Sequence, residues 1–362
     1  MKTMKKGQLS GQLSKAGQEN MIRQHYKLVG SHSAVKTCGW TRSVLRGRGG
    51  CYKLKFYGIR SHQCMQMTTS ISCANRCTFC WRDYKAPVSK TWDWKMDDPD
   101  FILEESRKAH NSLLIGFRGN DQSPKNILEE AQTVRHVALS LTGEPITYPK
   151  INELIRKFHG ERISTFLVTN AQYPDEIRKL EPVTQLYLSI DAPDKDILRE
   201  VDRPLFSDYW ERMQASLDAM AEKEGRTCIR LTIIKGINDV KPEKYAELIG
   251  RGNPDFVEVK AYMFIGASME RLEKKNMPDH QEVKDFAERI LPHLSDYEFV
   301  SEHVPSRVVL LAKKSYRKKT WIDFDGFFRA FDRRMDNKTG KGPSSAPQEK
   351  EKRVKKKVNV SS

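Results

Sequence analysis

Residues 73–80 read Cys73-Ala74-Asn75-Arg76-Cys77-Thr78-Phe79-Cys80. The three thiols, in the pattern Cx3Cx2C, come directly after a short apolar and β-branched run at 67–72 that has the composition of a strand. A tight loop of this length aims three sulfurs at three corners of one iron–sulfur cubane. The fourth iron is left without a protein ligand, open to a small chelating molecule. The alternative is zinc, held by the same thiols and a histidine such as His62.

Downstream, five more runs of strand character (134–141, 163–169, 185–190, 228–234 and 256–264) alternate with helical stretches at 101–110, 126–132, 151–158, 175–180, 209–223 and 242–249. Pro149, Pro174 and Pro242 stand near helix starts, where a missing N–H costs little. Six β-then-α units predict an α/β fold with a parallel sheet and right-handed crossovers. A helix at 279–294 then leads into a hairpin at 297–304 and 307–312. Chemistry in such folds gathers at the carboxyl ends of the strands. Those ends carry Gly143 and Glu144, Asn170, Ser189 and Asp191, the stretch 235–239, and Lys260.

Upstream, Cys38, Cys51 and Cys64 are separated by two equal gaps of twelve residues, unlike a zinc ribbon. Three separate segments must converge to form a second three-thiol cluster, again with an open iron; the alternative is three buried cysteines in a small domain. Cys228, on an apolar strand, reads as a small buried hydrophobe. Lys53 lies two residues beyond Cys51, so on an extended chain both point to one face.

The chain has 362 residues and a formal charge of +16. Residues 1–60 carry thirteen Lys and Arg against one acid, and residues 338–362 carry eight against two, leaving 61–337 close to neutral. Two basic ends on a neutral body suit a docked polyanion; solvated tails are the alternative for the C-terminal stretch. Lys and Arg at 23–60 interleave with Tyr26, Trp40, Tyr52, Phe56 and Tyr57, a mixture suited to phosphates and unpaired bases. Segments 1–20 and 338–362 read as disordered, 21–66 as a cysteine-bearing extension, and 67–337 as the βα core with C-terminal additions. No run is long enough to span a membrane, and the N-terminus lacks the apolar block of a signal peptide. A monomer in the reducing cytoplasm is expected, where clustered thiols are metal ligands rather than disulfides.

The Cx3CxΦC pattern, with Phe79 as its aromatic, resembles the signature of the radical S-adenosylmethionine (SAM) superfamily. That resemblance implies a partial (β/α)6 barrel, and SAM chelating the open iron of a [4Fe-4S] cluster through its amino and carboxylate groups. Cleavage of SAM then gives methionine and a 5′-deoxyadenosyl radical. Gly143-Glu144-Pro145 resembles the element that holds the methionine amino group, with Thr142 where a glycine is usual. Asn170, Ser189 and Asp191 are the further SAM contacts implied. The two cysteine sets together, with Cys51-Tyr-Lys53, Cys77-Thr-Phe-Cys80-Trp81-Arg82, Leu141-Thr-Gly-Glu-Pro145, Leu167-Val-Thr-Asn170 and Val259-Lys260-Ala-Tyr262, resemble the 4-demethylwyosine synthases over about residues 25–330. The family implies two [4Fe-4S] clusters and a reaction of pyruvate with N1-methylguanosine beside the anticodon of phenylalanine tRNA. Pyruvate is then fixed either by the open iron of the second cluster, through its carboxylate and keto oxygen, or as a Schiff base on a lysine of depressed pKa, with Lys53 the first candidate and Lys260 the second. Trp81 and Arg82 are then candidates to line the base pocket. Eukaryotic members carry a flavodoxin-like domain. The 37 residues before Cys38 are too few for one, so the shorter archaeal form and an external flavodoxin- or ferredoxin-type donor are expected. Rival readings are another radical SAM enzyme with an auxiliary cluster, and a zinc-dependent RNA-binding protein without catalysis.

Overall fold

The computed structural model describes residues 12–83, 85–119 and 122–339. Its strands are β1 (Lys27–Val29), β2 (Ser33–Val35), β3 (Cys64–Thr68), β4 (His136–Leu139), β5 (Ser164–Thr169), β6 (Gln185–Ser189), β7 (Thr227–Ile233), β8 (Phe256–Ala261), β9 (Tyr297–His303) and β10 (Val308–Lys313). They form one sheet in the order β1-β2-β3-β4-β5-β6-β7-β8-β10-β9. Strands β3 to β8 pair in parallel, each with the next. The β1–β2 hairpin adds antiparallel to β3, and the β9–β10 hairpin to β8. The expected partial (β/α)6 architecture is therefore present.

Period-two alternation divides each parallel strand between two environments. Val137, Leu139, Leu167, Leu186, Leu188, Ile229, Leu231, Val257 and Val259 join the main apolar core. Helices α4 (Pro99–Leu114), α6 (Ile151–Gly160), α9 (Tyr209–Ala221), α10 (Pro242–Gly252) and α11 (His280–Ile290) contribute Ile102, Phe158, Met213, Ile249 and Phe286 to that core. The alternate positions, Cys64, Gln66, Phe166, Tyr187, Cys228, Arg230, Glu258 and Lys260, face the inside of the barrel. Two short helices, α2 (Gly39–Val44) and α3 (Tyr52–Tyr57), cover this inner face. Tyr52 and Tyr57 each donate from the phenol to Glu258, both at 2.9 Å.

Several boundaries differ from expectation. Residues 15–20, expected to be disordered, belong to α1 (Lys15–Arg23). The Ser14 hydroxyl caps its first turn at 3.1 Å, and Met21 is buried beside Tyr26, Ala34, Ile71 and Leu141. Residues 1–11 and 340–362 lie outside the described residues. Strand β3 spans 64–68 rather than 67–72, so Cys64 is itself a strand residue and residues 69–72 separate the strand from Cys73. Helix α8 (Lys195–Asp202) had not been expected; Asp194 caps it at 3.0 Å. The chain divides after Ile322, inside the expected 67–337 core. From Asp323 onward it forms a separate unit containing α12 (Phe324–Thr339), so residues 338 and 339, expected in the disordered tail, are helical. Among the described residues no helix is long and apolar enough to cross a membrane.

Candidate active site

The Cys73–Cys80 loop has little secondary structure of its own and is held by its neighbours. The end of α8 supplies two carbonyls: Arg76 N donates to Asp202 O at 3.0 Å and Thr78 N to Val201 O at 2.7 Å. Asn75 Nδ2 donates to Asp202 Oδ2 at 3.2 Å. Arg271 donates to the carbonyls of Thr78 and Cys80, and Arg82 to those of Ile71, Pro87 and Asn75. Arg82 is thus a staple across the loop. Phe79 packs with Val201, Ile234, Tyr262 and Leu272.

The thiols meet hydrogen-bond donors. Asn75 N lies 3.4 Å and Asn170 Nδ2 3.5 Å from Cys73 Sγ. Burial, then the nearby Glu144 and Cys80, push the Cys73 thiol up to about 11. Burial and the Asp202 carboxylate hold Cys77 well above the ordinary thiol range. Thiolates are costly here unless a cation shares the site, and N–H···S contacts are what iron–sulfur ligands accept. The donor set therefore fits a cluster.

Gly143 (φ +68°) touches the loop so closely that a Cβ would stand 1.9 Å from Ser70 O, so the close approach requires glycine. It places Glu144, 1% exposed, with its N–H on Ser72 O at 2.8 Å and Oε2 accepting from Asn170 N at 2.9 Å. Oε1 is buried without a hydrogen-bond partner, and burial lifts the carboxyl to about 7. An orphaned carboxylate oxygen beside the thiols suits an amino donor from a ligand. Ser189 ends β6 beside Arg230 in the ladder. Asp191 is buried, accepts from Thr232 N at 2.9 Å, and is raised to about 6 by desolvation.

Cys38 and Cys51 are the N-cap residues of α2 and α3, and Cys64 opens β3. Ser61 ties the three segments together. Its carbonyl accepts from Thr41 at 2.8 Å, its hydroxyl accepts from Cys51 N at 2.9 Å, and it stands three residues before Cys64. Burial, followed by the charge on Cys38, pushes Cys51 up to about 12; burial also pushes Cys64 to about 12, with Cys38 and Cys51 adding to the rise. The three widely spaced cysteines thus converge. Lys53 lies in the first turn of α3 rather than in an extended run, so the same-face argument from an extended chain fails. It nevertheless points inward: its Nζ lies 4.6 Å from the Tyr187 ring centroid and 5.6 Å from that of Phe166. Lys260 Nζ donates to Ser306 O at 3.0 Å, and burial, then Arg230, lowers it to about 8.

His62, the histidine named for the zinc alternative, contacts Glu130 at 2.8 Å. Of the aromatics expected to stack on bases, Tyr26, Tyr52, Phe56 and Tyr57 are core residues, and Tyr26 stacks on Trp81 at 5.9 Å. The sequence reading missed Glu258, Arg230, Asp202 and Arg271. For the first two a signal existed: a charged residue in the middle of an apolar strand.

This fold with this loop defines a radical SAM protein, and residues 67–249 match the model described as Radical SAM superfamily. Residues 251–313 match the model described as Wyosine base formation. The S-adenosyl-L-methionine-dependent tRNA 4-demethylwyosine synthase TYW1 of Xenopus laevis is 50% identical over 320 residues, 87% of this chain and 44% of that protein. Two solved structures align closely. "Structure of TYW1 with a lysine-pyruvate adduct bound" has TM-score 0.76 and 37% identity, over 86% of this chain and 99% of that one. "Crystal structure of archaeal TYW1" has TM-score 0.68 and 35% identity, over 84% and 97%. The chain belongs to the TYW1 family of tRNA 4-demethylwyosine synthases. It spans about half the length of the curated relatives it matches.

Proposed function

We propose that this chain converts N1-methylguanosine beside the anticodon of phenylalanine tRNA, with pyruvate, into 4-demethylwyosine. The observation that carries the reading is the convergence of Cys38, Cys51, Cys64 and Lys53 on the inner face of a barrel whose strand ends carry the Cys73 loop. The solved relative with a lysine-pyruvate adduct supports the keto acid. Cys73, Cys77 and Cys80 would hold one [4Fe-4S] cluster, and Cys38, Cys51 and Cys64 a second. When bound, the first would supply the electron that cleaves SAM to methionine and a 5′-deoxyadenosyl radical, an external flavodoxin- or ferredoxin-type donor providing it.

The protein's own groups do the rest. Glu144 accepts from the methionine amino group through Oε1, and Asn170 fixes that carboxylate while touching Cys73. Ser189 and Asp191 line the ribose side. Lys53 takes the keto carbon of pyruvate as an imine, releasing water, and Lys260 is the second amine at this wall. The buried lumen excludes bulk water from the methyl group that loses hydrogen and from the carbon radical that adds to pyruvate. Scission of the pyruvate C1–C2 bond expels the carboxylate carbon with the unpaired electron, as the radical anion of carbon dioxide, and restores the imine; attack of the guanine amino group then closes the ring and frees the Lys53 amine, the keto oxygen having already left as water.

The test is anaerobic reconstitution with methylated tRNA, SAM, pyruvate and reductant, read by nucleoside mass spectrometry. A new base with the mass of 4-demethylwyosine is expected; SAM cleavage without it would defeat the reading. Iron analysis tests the second cluster: about eight irons per chain in the wild type, and about four after replacement of Cys38, Cys51 and Cys64 by alanine.

A further inference from the structure

Lys36 lies between the two thiol sets. It follows β2 and donates its backbone N–H to Gln66 O at 3.2 Å, which extends the β2–β3 register beyond the Val35–Met67 pair. Opposed residues of an antiparallel pair share a face, so its side chain lies on the Gln66 side, toward the barrel interior. Its Nζ stands 4.4 Å from the Tyr26 ring centroid and 5.0 Å from that of Trp81, and the two rings stack with 15° between their planes. Trp81 directly follows Cys80, and Cys38 comes two residues after Lys36. The amine thus rests on a shelf joined to one thiol set, on a segment that leads into the other. An ammonium carries three donors. Among the described residues no oxygen accepts from Nζ and no acid pairs with it. The charge acting on it is a second cation, Arg42 of α2, whose exposed guanidinium likewise has no partner among the described residues.

Two adjacent cations without a counter-ion call for an anion, and the rings that hold Lys36 stabilise its charge without using its donors. The SAM and keto-acid contacts proposed above lie elsewhere, at Glu144 with Asn170 and at Lys53 against Tyr187. The anion left for this place is the RNA backbone. A nucleotide whose base has left its stack is held by its phosphates, and a lysine serves as a point charge for one. We infer that Lys36 and Arg42 clamp a backbone phosphate flanking the target nucleotide, and so position the base between the two thiol sets. This rests on the tRNA reading above.

The test uses the full chain with its clusters reconstituted. An anticodon stem-loop bearing N1-methylguanosine is titrated by filter binding between about 50 and 200 mM salt. Lys36→Met weakens binding about tenfold at the low-salt end and lowers the slope of log affinity against log salt by about one, the share of one phosphate contact. Adding Arg42→Met lowers the slope by about one more, and Lys36→Arg restores most of the wild-type behaviour. A neutral methylphosphonate is then placed at each phosphate flanking the target nucleotide in turn. At one of the two positions wild-type binding falls by a similar factor, and Lys36→Met loses nothing further there. Unchanged affinity and slope in Lys36→Met overturn the clamp. Additive losses at both positions overturn it too, because the contact is then to a distant phosphate. A fall in iron per chain in Lys36→Met also overturns it, making the amine a counter-charge for the second cluster. If the wild-type chain fails to bind the methylated stem-loop, the tRNA reading falls, and this inference with it.

Discussion

Glu144 shows how a single side chain carries the cost of a ligand site. Its carboxyl is raised to about 7 from an ordinary 4.5 because it is buried with one oxygen unpartnered. The folded state therefore prefers the neutral acid. That stabilisation is full below about pH 4.5 and is lost as pH rises through about 7. In ligand-free protein Glu144→Gln should gain about 3 kcal/mol at pH 8 and less than about 1 kcal/mol at pH 5, while losing SAM binding. Urea denaturation at the two pH values checks this, and an equal gain at both contradicts it. Lys53→Ala should leave 5′-deoxyadenosine formation detectable and cut base formation at least about 100-fold. Unchanged product yield removes Lys53 from the mechanism. The six cysteines, Glu144 and Lys53 could be singled out as candidates because residue type and spacing are read along the chain. Arg230 and Glu258 were not, because a charge within a strand acquires its meaning from the neighbouring strands.

Helix α3 is six residues long, too short to be stable alone. It carries Cys51 as its N-cap and Lys53 in its first turn, and Tyr52 and Tyr57 anchor it through Glu258. Glu258→Ala leaves two buried phenols without their acceptor and the Arg230 guanidinium without its counter-charge. A loss of roughly 3–5 kcal/mol is expected, measured by urea denaturation. A change below about 1 kcal/mol would mean that packing alone holds α3. The strands were readable as elements because parallel strands are continuous apolar runs. Helices α3 and α8 escaped for different reasons. Helix α3 takes its structure from contacts made inside the barrel. The signal of α8, Asp194 ahead of Ile197, Leu198 and Val201, is short and amphipathic, and it was passed over although its C-terminal carbonyls hold the cluster loop.

At the scale of the whole molecule the charge of +16 is the dominant long-range property, and residues 1–60 carry most of it. Binding to tRNA should release counterions, so affinity should fall at least about tenfold between 50 and 200 mM salt. A filter-binding series measures it, and a flat profile would mean that the basic segments do not meet phosphate. The role of the interleaved aromatics was misread from sequence. Adjacency to Lys and Arg suggested a stacking surface, but Tyr26, Tyr52, Phe56 and Tyr57 are worth more as buried area than as exposed rings. The sequence by itself determined the βα alternation, the cluster-type loop and the glycine at 143, because strand periodicity, thiol spacing and positive φ are properties of a few adjacent residues. Only the tertiary structure decided that thiols with twelve residues between them are brought together, that Lys53 and Arg230 share the ring of Tyr187, and that Glu258 latches α3. Those are contacts across the inner face of a closed-over sheet, set by strand order and register, and a linear pattern carries neither.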